Sequence, residues 1–514
     1  GSNPIDAQQD NWIAVATMSV ATLVLTIDLF GVSVALPTIG RELGGSTSSL
    51  QWVTNAYSLS LAALLIPAGR ISDLVGRRRV AVLGLVSFAL ASLACGTAQS
   101  MEILIVARAA QGGAAAMIAA SALSITSNSV SDENRSLAIG IWTGVSAIGS
   151  AIGPLMGGFA TDLASWRWFF IVNIGVSVVL AILTYAVVDE SVDPSAQTPL
   201  DWLGGLLLLI GLSFTTVGIM QGPTSGWGTP VVSGSLVMGL CGLFLFWRHE
   251  RRTENPLVEL NLFSSRSYLG TSVVAFVGNG AYGMFLFFIS LYLQQVLDLS
   301  ALSTGLVFLT FTLPYAAGSP VVGKLQKRVE APPLLVSGLV VLALSFALFA
   351  LAGTERGLIA VISGMVVAAI GQALVFNVSG VAAMTSIPRE KSGIASGMIS
   401  TVRQGGSLIG LAAAGALFKT AEVAALEKSV SSSGLRLSSA ETAAVSDEIS
   451  GSPAAAQKLA ALSSVDQRQV DEIISDAFVV ALRCTMLTFA ALMILTAVLA
   501  RRILKRGVSP VVEN

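Results

Sequence analysis

Hydrophobic positions in this chain come in long continuous runs, with neither the alternation of a strand nor the one-sided stripe of a soluble helix. Runs stand out at about 12–36, 50–70, 79–98, 102–126, 135–161, 167–188, 203–221, 231–247, 268–296, 302–322, 334–352, 357–383, 392–418 and 477–500. A helix rising about 1.5 Å per residue needs roughly twenty such residues to cross a bilayer core about 30 Å thick. Backbone groups inside lipid must be satisfied within their own segment, so runs of this kind fold as α-helices. The pattern predicts an all-α polytopic membrane protein with 14 transmembrane helices.

The polar positions divide these runs. Residues 189–202 and 248–267 are expected as cytoplasmic linkers. Residues 419–475, rich in Ala, Ser and Glu, are expected as an extracytoplasmic insertion, with short amphipathic helices near Ala421–Leu426 and Ala454–Leu462. A weak internal echo separates two halves. Gly69-Arg-Ile-Ser-Asp73 closes the second run, and Gly323-Lys-Leu-Gln-Lys327 closes the tenth without the acid. The small-residue stretch Gly149–Gly158 of the fifth run is echoed by Gly405–Gly410 of the thirteenth. The reading is a six-helix bundle over 12–188, an inserted two-helix hairpin over 203–247 and a second six-helix bundle over 268–500. Repeats of this kind build many alternating-access carriers.

Charge changes the picture twice. First, basic residues cluster on one set of short loops: Arg77, Arg78 and Arg79, Arg135, Arg248, Arg251 and Arg252, Lys324 and Lys327, Arg501 and Arg502. The opposite short loops hold only Arg41, Arg167 and Arg356. The positive-inside rule then puts both termini in the cytoplasm of a protein in the cell membrane. Second, only 11% of residues are charged, against roughly 25% in soluble domains. The net charge of −1 gives no reason to expect nucleic acid. Cys95, Cys241 and Cys484 are scattered through apolar runs, and His249 is the single histidine, so neither a disulfide framework nor a histidine metal centre is expected. No nucleotide loop, base-activated nucleophile or metal-ligand cluster points to an enzyme.

Ionisable residues inside the runs are therefore the candidate chemistry, because a charge at membrane depth costs at least about 2.5 kcal/mol. Asp28 lies deep in the first run and Arg108 in the fourth, at depths that let them communicate. Arg108 can alternatively brace backbone carbonyls. The loop Gly69-Arg-Ile-Ser-Asp73-Leu-Val-Gly76-Arg77 has glycines for a tight turn, and Asp73 can cap a helix start or pair with Arg77. Gly149, Gly153, Pro154, Gly157 and Gly158 form a close-packing seam, expected either to seal the outer side of a cavity or simply to pack. Ser165-Trp-Arg-Trp-Phe-Phe-Ile-Val-Asn173 opens the sixth run with aromatics at the outer interface and is expected mainly as an anchor. Arg403, at membrane depth, can orient a substrate or hold helices together. Asn55, Tyr57, Gln111, Met117, Trp142, Asn279, Phe287, Gln294, Phe376, Asn377 and Gln404 are polar, aromatic or soft residues at similar depth and are candidate cavity lining.

With these residues in view, the sequence resembles the major facilitator superfamily, and within it the fourteen-span drug:proton antiporter branch. The loop 69–79 carries the superfamily resemblance. Asp28 with Ala35-Leu-Pro37, Gln51-Trp-Val-Thr-Asn-Ala-Tyr57, Trp166-Arg-Trp, Asp201-Trp-Leu-Gly204 and Arg403-Gln-Gly-Gly carry the branch resemblance. The resemblance implies the major-facilitator fold and export of amphipathic, often cationic, drugs against protons. Family members often carry Thr where this chain has Phe30 and Asn where it has Ser33, so the wall near Asp28 is less polar than usual.

The expected mechanism is competition at Asp28, which takes a proton in one state and attracts a cationic or polar substrate in the other. The proton is the coupling ion and no further cofactor is expected. Partners are small amphipathic substrates and membrane lipids, with a monomer as default. A dedicated exporter of one metabolite or antibiotic, a lipid translocase, and a transport-dead sensor are the alternatives.

Overall fold

The computed structural model describes residues 10–131, 133–192, 201–253, 256–353, 357–385, 392–432 and 464–505. Among these the chain forms α1 (Trp12–Leu43), α2 (Thr47–Val75), α3 (Arg77–Gly96), α4 (Met101–Asn128), α5 (Arg135–Leu163), α6 (Trp166–Val187), α7 (Trp202–Ser225), α8 (Pro230–Glu250), α9 (Arg266–Gln295), α10 (Ala301–Leu325), α11 (Ala331–Phe349), α12 (Gly357–Thr385), α13 (Ser392–Ser432) and α14 (Ser464–Lys505). All 14 contain a stretch long and apolar enough to cross a membrane. Their ends follow local chemistry. Asn11, Ser46, Ser100, Asp201, Ser265 and Ser300 accept a backbone N–H of the first turn of α1, α2, α4, α7, α9 and α10. Gly44, at φ 71°, stops α1 in the left-handed conformation that costs glycine nothing.

The helices fall into two sets with the same internal pairing. In the first, α1 packs on α5, α2 on α4, and α3 on α4 and α6; in the second, α9 packs on α13, α10 on α12, and α11 on α12 and α14. Glycines make the matching contacts possible. A Cβ at Gly157 would collide with the Gly31 backbone, and one at Gly410 with Gly280. α7 and α8 form a hairpin closed by Gly211 against Leu243 and Gly218 against Leu236. Through α7 the hairpin leans on α2 and α13. Large apolar side chains such as Val106, Tyr185, Leu240 and Ile359 stand on the outside, where lipid replaces water as the apolar partner.

Three expectations are corrected. The Ala421–Leu426 segment is not a separate surface helix: α13 runs unbroken through it to Ser432, and α14 begins at Ser464, well before its apolar run. The Ala454–Leu462 segment lies outside the described residues. Trp166 is not an interfacial anchor; it is fully buried and its indole N–H donates to Glu42 Oε2 at 2.6 Å, while Trp168 is exposed. Glu190 is not part of a free linker, as described below.

Hydrogen bonds between the halves, among the described residues, sit toward the end opposite the termini. Ser290 Oγ donates to the Ser33 carbonyl and Gln294 Nε2 to the Val34 carbonyl, each at 2.8 Å. Asp162, at the end of α5, accepts the Ala301 and Leu302 N–H groups at 3.2 and 2.8 Å, placing a carboxylate on the N-terminus of α10. Toward the terminal end, Gly140 and Gly144 of α5 and Gly323 of α10 have open space beside them. The hydrogen bonds that join the halves, among the described residues, therefore lie at the far end.

Candidate functional site

Asp28 and Arg108 are both fully buried and form an ion pair, with Arg108 Nη1 donating to Asp28 Oδ2 at 2.5 Å. Gln111, one turn along α4 from Arg108, donates from Nε2 to Asp28 Oδ1 at 3.0 Å and accepts from Arg108 Nη1 at 2.7 Å. Asn173 of α6 donates to Asp28 Oδ1 at 2.9 Å. Ser92 Oγ of α3 accepts the other Gln111 amide hydrogen at 3.0 Å. Arg108 Nε donates to the Val53 carbonyl at 3.2 Å, and its guanidinium lies 4.3 Å from the centre of the Tyr57 ring. Gly112 brings α4 against α2: a Cβ there would strike the Tyr57 carbonyl. Only Arg108 Nη2 lacks a partner. The network carries no net charge and spans five of the six helices of the first half.

This geometry corrects the expected chemistry. The Asp28 carboxylate already accepts three hydrogen bonds and has no exposed surface. In this conformation it has no free face for a cationic substrate, and its charge is balanced by Arg108. Asn173 and Ser92 were missed in the sequence. The available signal for Asn173 was an amide isolated in the apolar α6, within the stretch read as an anchor.

The small-residue seam has two faces. Gly149, Gly153 and Gly157 pack within the first half against Leu23–Gly31 of α1. Pro154 and Gly158 face the other half, the Pro154 carbonyl beside Gly305 and Gly158 against Ala301.

In the loop after α2, Arg77 donates to Asp73 Oδ1 from Nε at 3.1 Å and Nη2 at 2.9 Å. Asp73 does not cap α3. Gly76, at φ 125°, starts that helix, and the Glu190 carboxylate takes the cap by accepting the Arg78 N–H at 3.1 Å. A Cβ at Gly76 would sit 2.5 Å from Glu190 Oε1, so the glycine leaves room for the acid. Gly69 lies beside Ala120 of α4.

The cavity candidates separate. Tyr57 and Gln111 belong to the Asp28 network. Asn55 is turned into the hairpin, donating to Met220 Sδ at 3.2 Å. Met117 packs on Gly84 of α3, Trp142 donates to Thr22 Oγ1 at 2.8 Å within the α1–α5 pair, and Phe287 is buried edge-on against Phe288. Asn55 and Phe287 are buried and Met117 and Trp142 half-buried, each with the packing or hydrogen-bond partner just given. Asn279 is spent on the Ala275 carbonyl of its own helix, and Gln294 joins the halves at the closed end.

Phe376, Asn377, Arg403 and Gln404 are half-buried together where α12 meets α13. Arg403 Nη2 donates to the Phe376 carbonyl at 2.6 Å and to Ser379 Oγ at 2.9 Å, and the guanidinium lies 4.0 Å from the centre of the Phe376 ring. Asn377 donates to Ser319 Oγ of α10 at 3.2 Å. Next to them runs an aromatic series that sequence reading did not single out. Tyr315 stacks on Phe311, Phe311 meets Tyr282, and Tyr282 meets Phe30 of the other half, with centroids 5.8, 5.5 and 5.5 Å apart.

Among known proteins, the sequence matches the Major Facilitator Superfamily over residues 18–411. It is 35% identical over 403 residues to the multidrug resistance protein Stp of Mycobacterium tuberculosis (strain CDC 1551 / Oshkosh), covering 78% of this chain and 74% of Stp. It is 32% identical over 462 residues to the multidrug efflux pump LfrA of Mycolicibacterium smegmatis, covering 88% of this chain and 89% of LfrA. Its fold is similar to that of a bacterial homologue of the human lysosomal transporter Spinster, solved inward-facing and unoccupied, with a TM-score of 0.66 and 18% identity over 99% of this chain and 100% of that one. With two matching six-helix halves, an inserted hairpin and this sequence match, the chain belongs to the Major Facilitator Superfamily and is a multi-pass membrane transporter.

Proposed function

We propose that this transporter exports amphipathic drug-like molecules across the cytoplasmic membrane in exchange for protons, and that Asp28 is the proton-carrying group. The observation that carries this reading is the buried Asp28–Arg108 pair with its amide partners. The multidrug efflux relatives support the substrate range. The clustering of Arg and Lys supports cytoplasmic termini, and the open space beside Gly140, Gly144 and Gly323 supports halves parted at that end. The proposed reading of this conformation is therefore one ready to load from the cytoplasm. The protein acts as a monomer with the proton as its coupling ion, and has no enzymatic step.

α1 links the chemistry to the gate. It carries Asp28, then Phe30 against Tyr282, then the Ser33 and Val34 carbonyls that hold α9 at the closed end. With Asp28 ionised, Arg108 is neutralised and α1, α4 and α6 are tied together. A proton on Asp28 replaces Arg108 as its partner and leaves the guanidinium with the Val53 carbonyl and the Tyr57 ring. That loosens α1 against α4. Once bound substrate has carried the halves to the outward-open state, the proton enters from outside and substrate leaves. The protonated site then returns to release its proton to the cytoplasm. Proton and substrate therefore compete through the conformation and not for one oxygen atom. The loop ion pair Asp73–Arg77 and the Glu190 cap hold the cytoplasmic end of the same half during this motion. Each pH unit supplies about 1.4 kcal/mol per proton, and each 100 mV about 2.3 kcal/mol per net charge moved.

The test is a proteoliposome assay with an imposed pH step and a panel of neutral and charged lipophilic dyes. Wild-type protein is expected to accumulate dye against its gradient. Asp28→Asn is expected to remain monodisperse and lose gradient-driven transport at least 100-fold. Full pH-driven transport by Asp28→Asn would overturn the proposal.

A further inference from the structure

The membrane-spanning middle of the second half has no carboxylate. α9, α10, α11 and α12 contain no Asp or Glu, and the first acid of α13 is Glu422, which is held by Lys419 at 3.1 Å. Arg403 stands inside this acid-free region. Among the described residues no carboxylate pairs with it, and its neutralisation rests on a carbonyl, a hydroxyl and the face of Phe376. Both of its hydrogen bonds leave from Nη2, and Nε is buried without a partner. A role confined to holding α13 on α12 needs only the Nη2 edge. An unpaired guanidinium at membrane depth is costly, and an arriving anion offsets that cost. The planar fork of arginine also fits a carboxylate or phosphate on two donors.

The surroundings specify the rest of the ligand. Tyr315 lies within the electrostatic reach of Arg403, and Phe311 stacks on Tyr315 at 5.8 Å with rings only 11° from parallel. Tyr282 extends this surface toward the other half. A flat apolar ligand can lie on these rings with its anionic group on Arg403. The one acid of the opposite half's network, Asp28, is already neutralised by Arg108 and does not repel it.

We infer that Arg403 is a binding site for the anionic group of an amphipathic, ring-bearing or acyl-chain ligand entering from the parted end. The inference rests on the carrier reading above, but its charge preference is readable without transport. The ligand chemistry is shared by soluble aromatic carboxylates and by anionic lipid headgroups, and two arms of the experiment separate these sources.

The experiment uses full-length protein in nanodiscs of neutral phosphatidylcholine and three probes with one ring system: 2-naphthoate, naphthalene-2-carboxamide and the 2-naphthyltrimethylammonium cation. Wild-type protein is expected to bind the naphthoate at least tenfold tighter than the amide, and the cation weakest. Arg403→Gln is expected to erase the preference while amide binding stays within twofold. Arg403→Lys keeps the cation but not the planar fork, and is expected to keep naphthoate above the cation while weakening naphthoate binding severalfold. A wild-type protein that binds the three probes equally, or an Arg403→Gln protein that keeps the preference, overturns the inference. If Arg403→Gln does not fold, the wild-type probe ranking and Arg403→Lys still decide: unchanged naphthoate affinity in Arg403→Lys overturns the inference. Repeating the titration in phosphatidylglycerol nanodiscs identifies the source: competition assigns the site to lipid headgroups, and unchanged affinity assigns it to soluble anions. Proton-driven dye transport without an anion preference would sink this inference alone. Anion preference without proton-driven transport would sink the antiport reading alone.

Discussion

The two halves treat a buried arginine in opposite ways. In the first half Arg108 is matched by Asp28, and the pair is wrapped by Gln111, Asn173, Ser92 and the Val53 carbonyl. In the second, Arg403 has a carbonyl, a hydroxyl and a ring and, among the described residues, no acid. The helices around them pair in the same order, so the difference lies in side chains and not in scaffold. A network that balances its own charge can respond to a proton, because protonation is what upsets it. A charge left unbalanced can respond to a ligand. The comparison teaches that one repeated framework can hold a balanced charge pair in one half and an unbalanced charge in the other by the placement of a few ionisable groups. On the two readings proposed above, the first half couples the proton and the second selects the ligand.

The sharpest way to break this contrast is to remove one partner at a time. Arg108→Gln leaves Asp28 buried with amide donors alone, and is expected to cost about 3–5 kcal/mol of stability. The double change Asp28→Asn with Arg108→Gln is expected to recover most of that loss in thermal unfolding, while transport stays uncoupled. Equal stability of single and double variants would show that the pair is not a unit. Arg403→Gln has no such partner to rescue.

A smaller effect tests whether the scaffolds are equivalent. Gly157→Val and Gly410→Val occupy matching α1–α5 and α9–α13 contacts, and each is expected to cost about 1–3 kcal/mol through overpacking. Thermal shifts of similar size in the two variants support the repeat. A neutral result at either position would show that the two contacts are not equivalent. The smallest effect concerns the loops. Glu190→Gln removes the charge at the start of α3 and is expected to cost about 1 kcal/mol and to slow transport severalfold. The corresponding loop near Gly323 has Lys327 where the first half has Asp73, so Lys327→Gln is expected to leave transport within twofold.

Much of the architecture was legible from residue order. Span count, the two halves and the inserted hairpin follow from runs of apolar residues, which report burial in lipid directly. Asp28 and Arg108 were legible as a pair because charges at membrane depth are so few. The separate partners of Asn55, Met117, Trp142 and Phe287 were not legible, because depth along a helix says nothing of rotation about it. Successive residues point about 100° apart, and a shift of one position turns a side chain from gap to packing face. Glu190 was read as linker because its partners, the N–H of Arg78 and the side chain of Arg79, lie more than a hundred residues earlier.

The chain by itself determined a helical membrane scaffold, its repeat and the inventory of buried charge, because hydropathy acts locally and a span is made or broken within its own twenty or so residues. Tertiary structure decided how each charge is satisfied. Gly112 at the α2–α4 crossing brings Arg108 to the Val53 carbonyl and the Tyr57 ring, and the packing of α1 on α4 brings it to Asp28. The lack of an acid in α9–α12 is already in the sequence, and the fold only decides which carbonyl, hydroxyl and ring Arg403 receives instead.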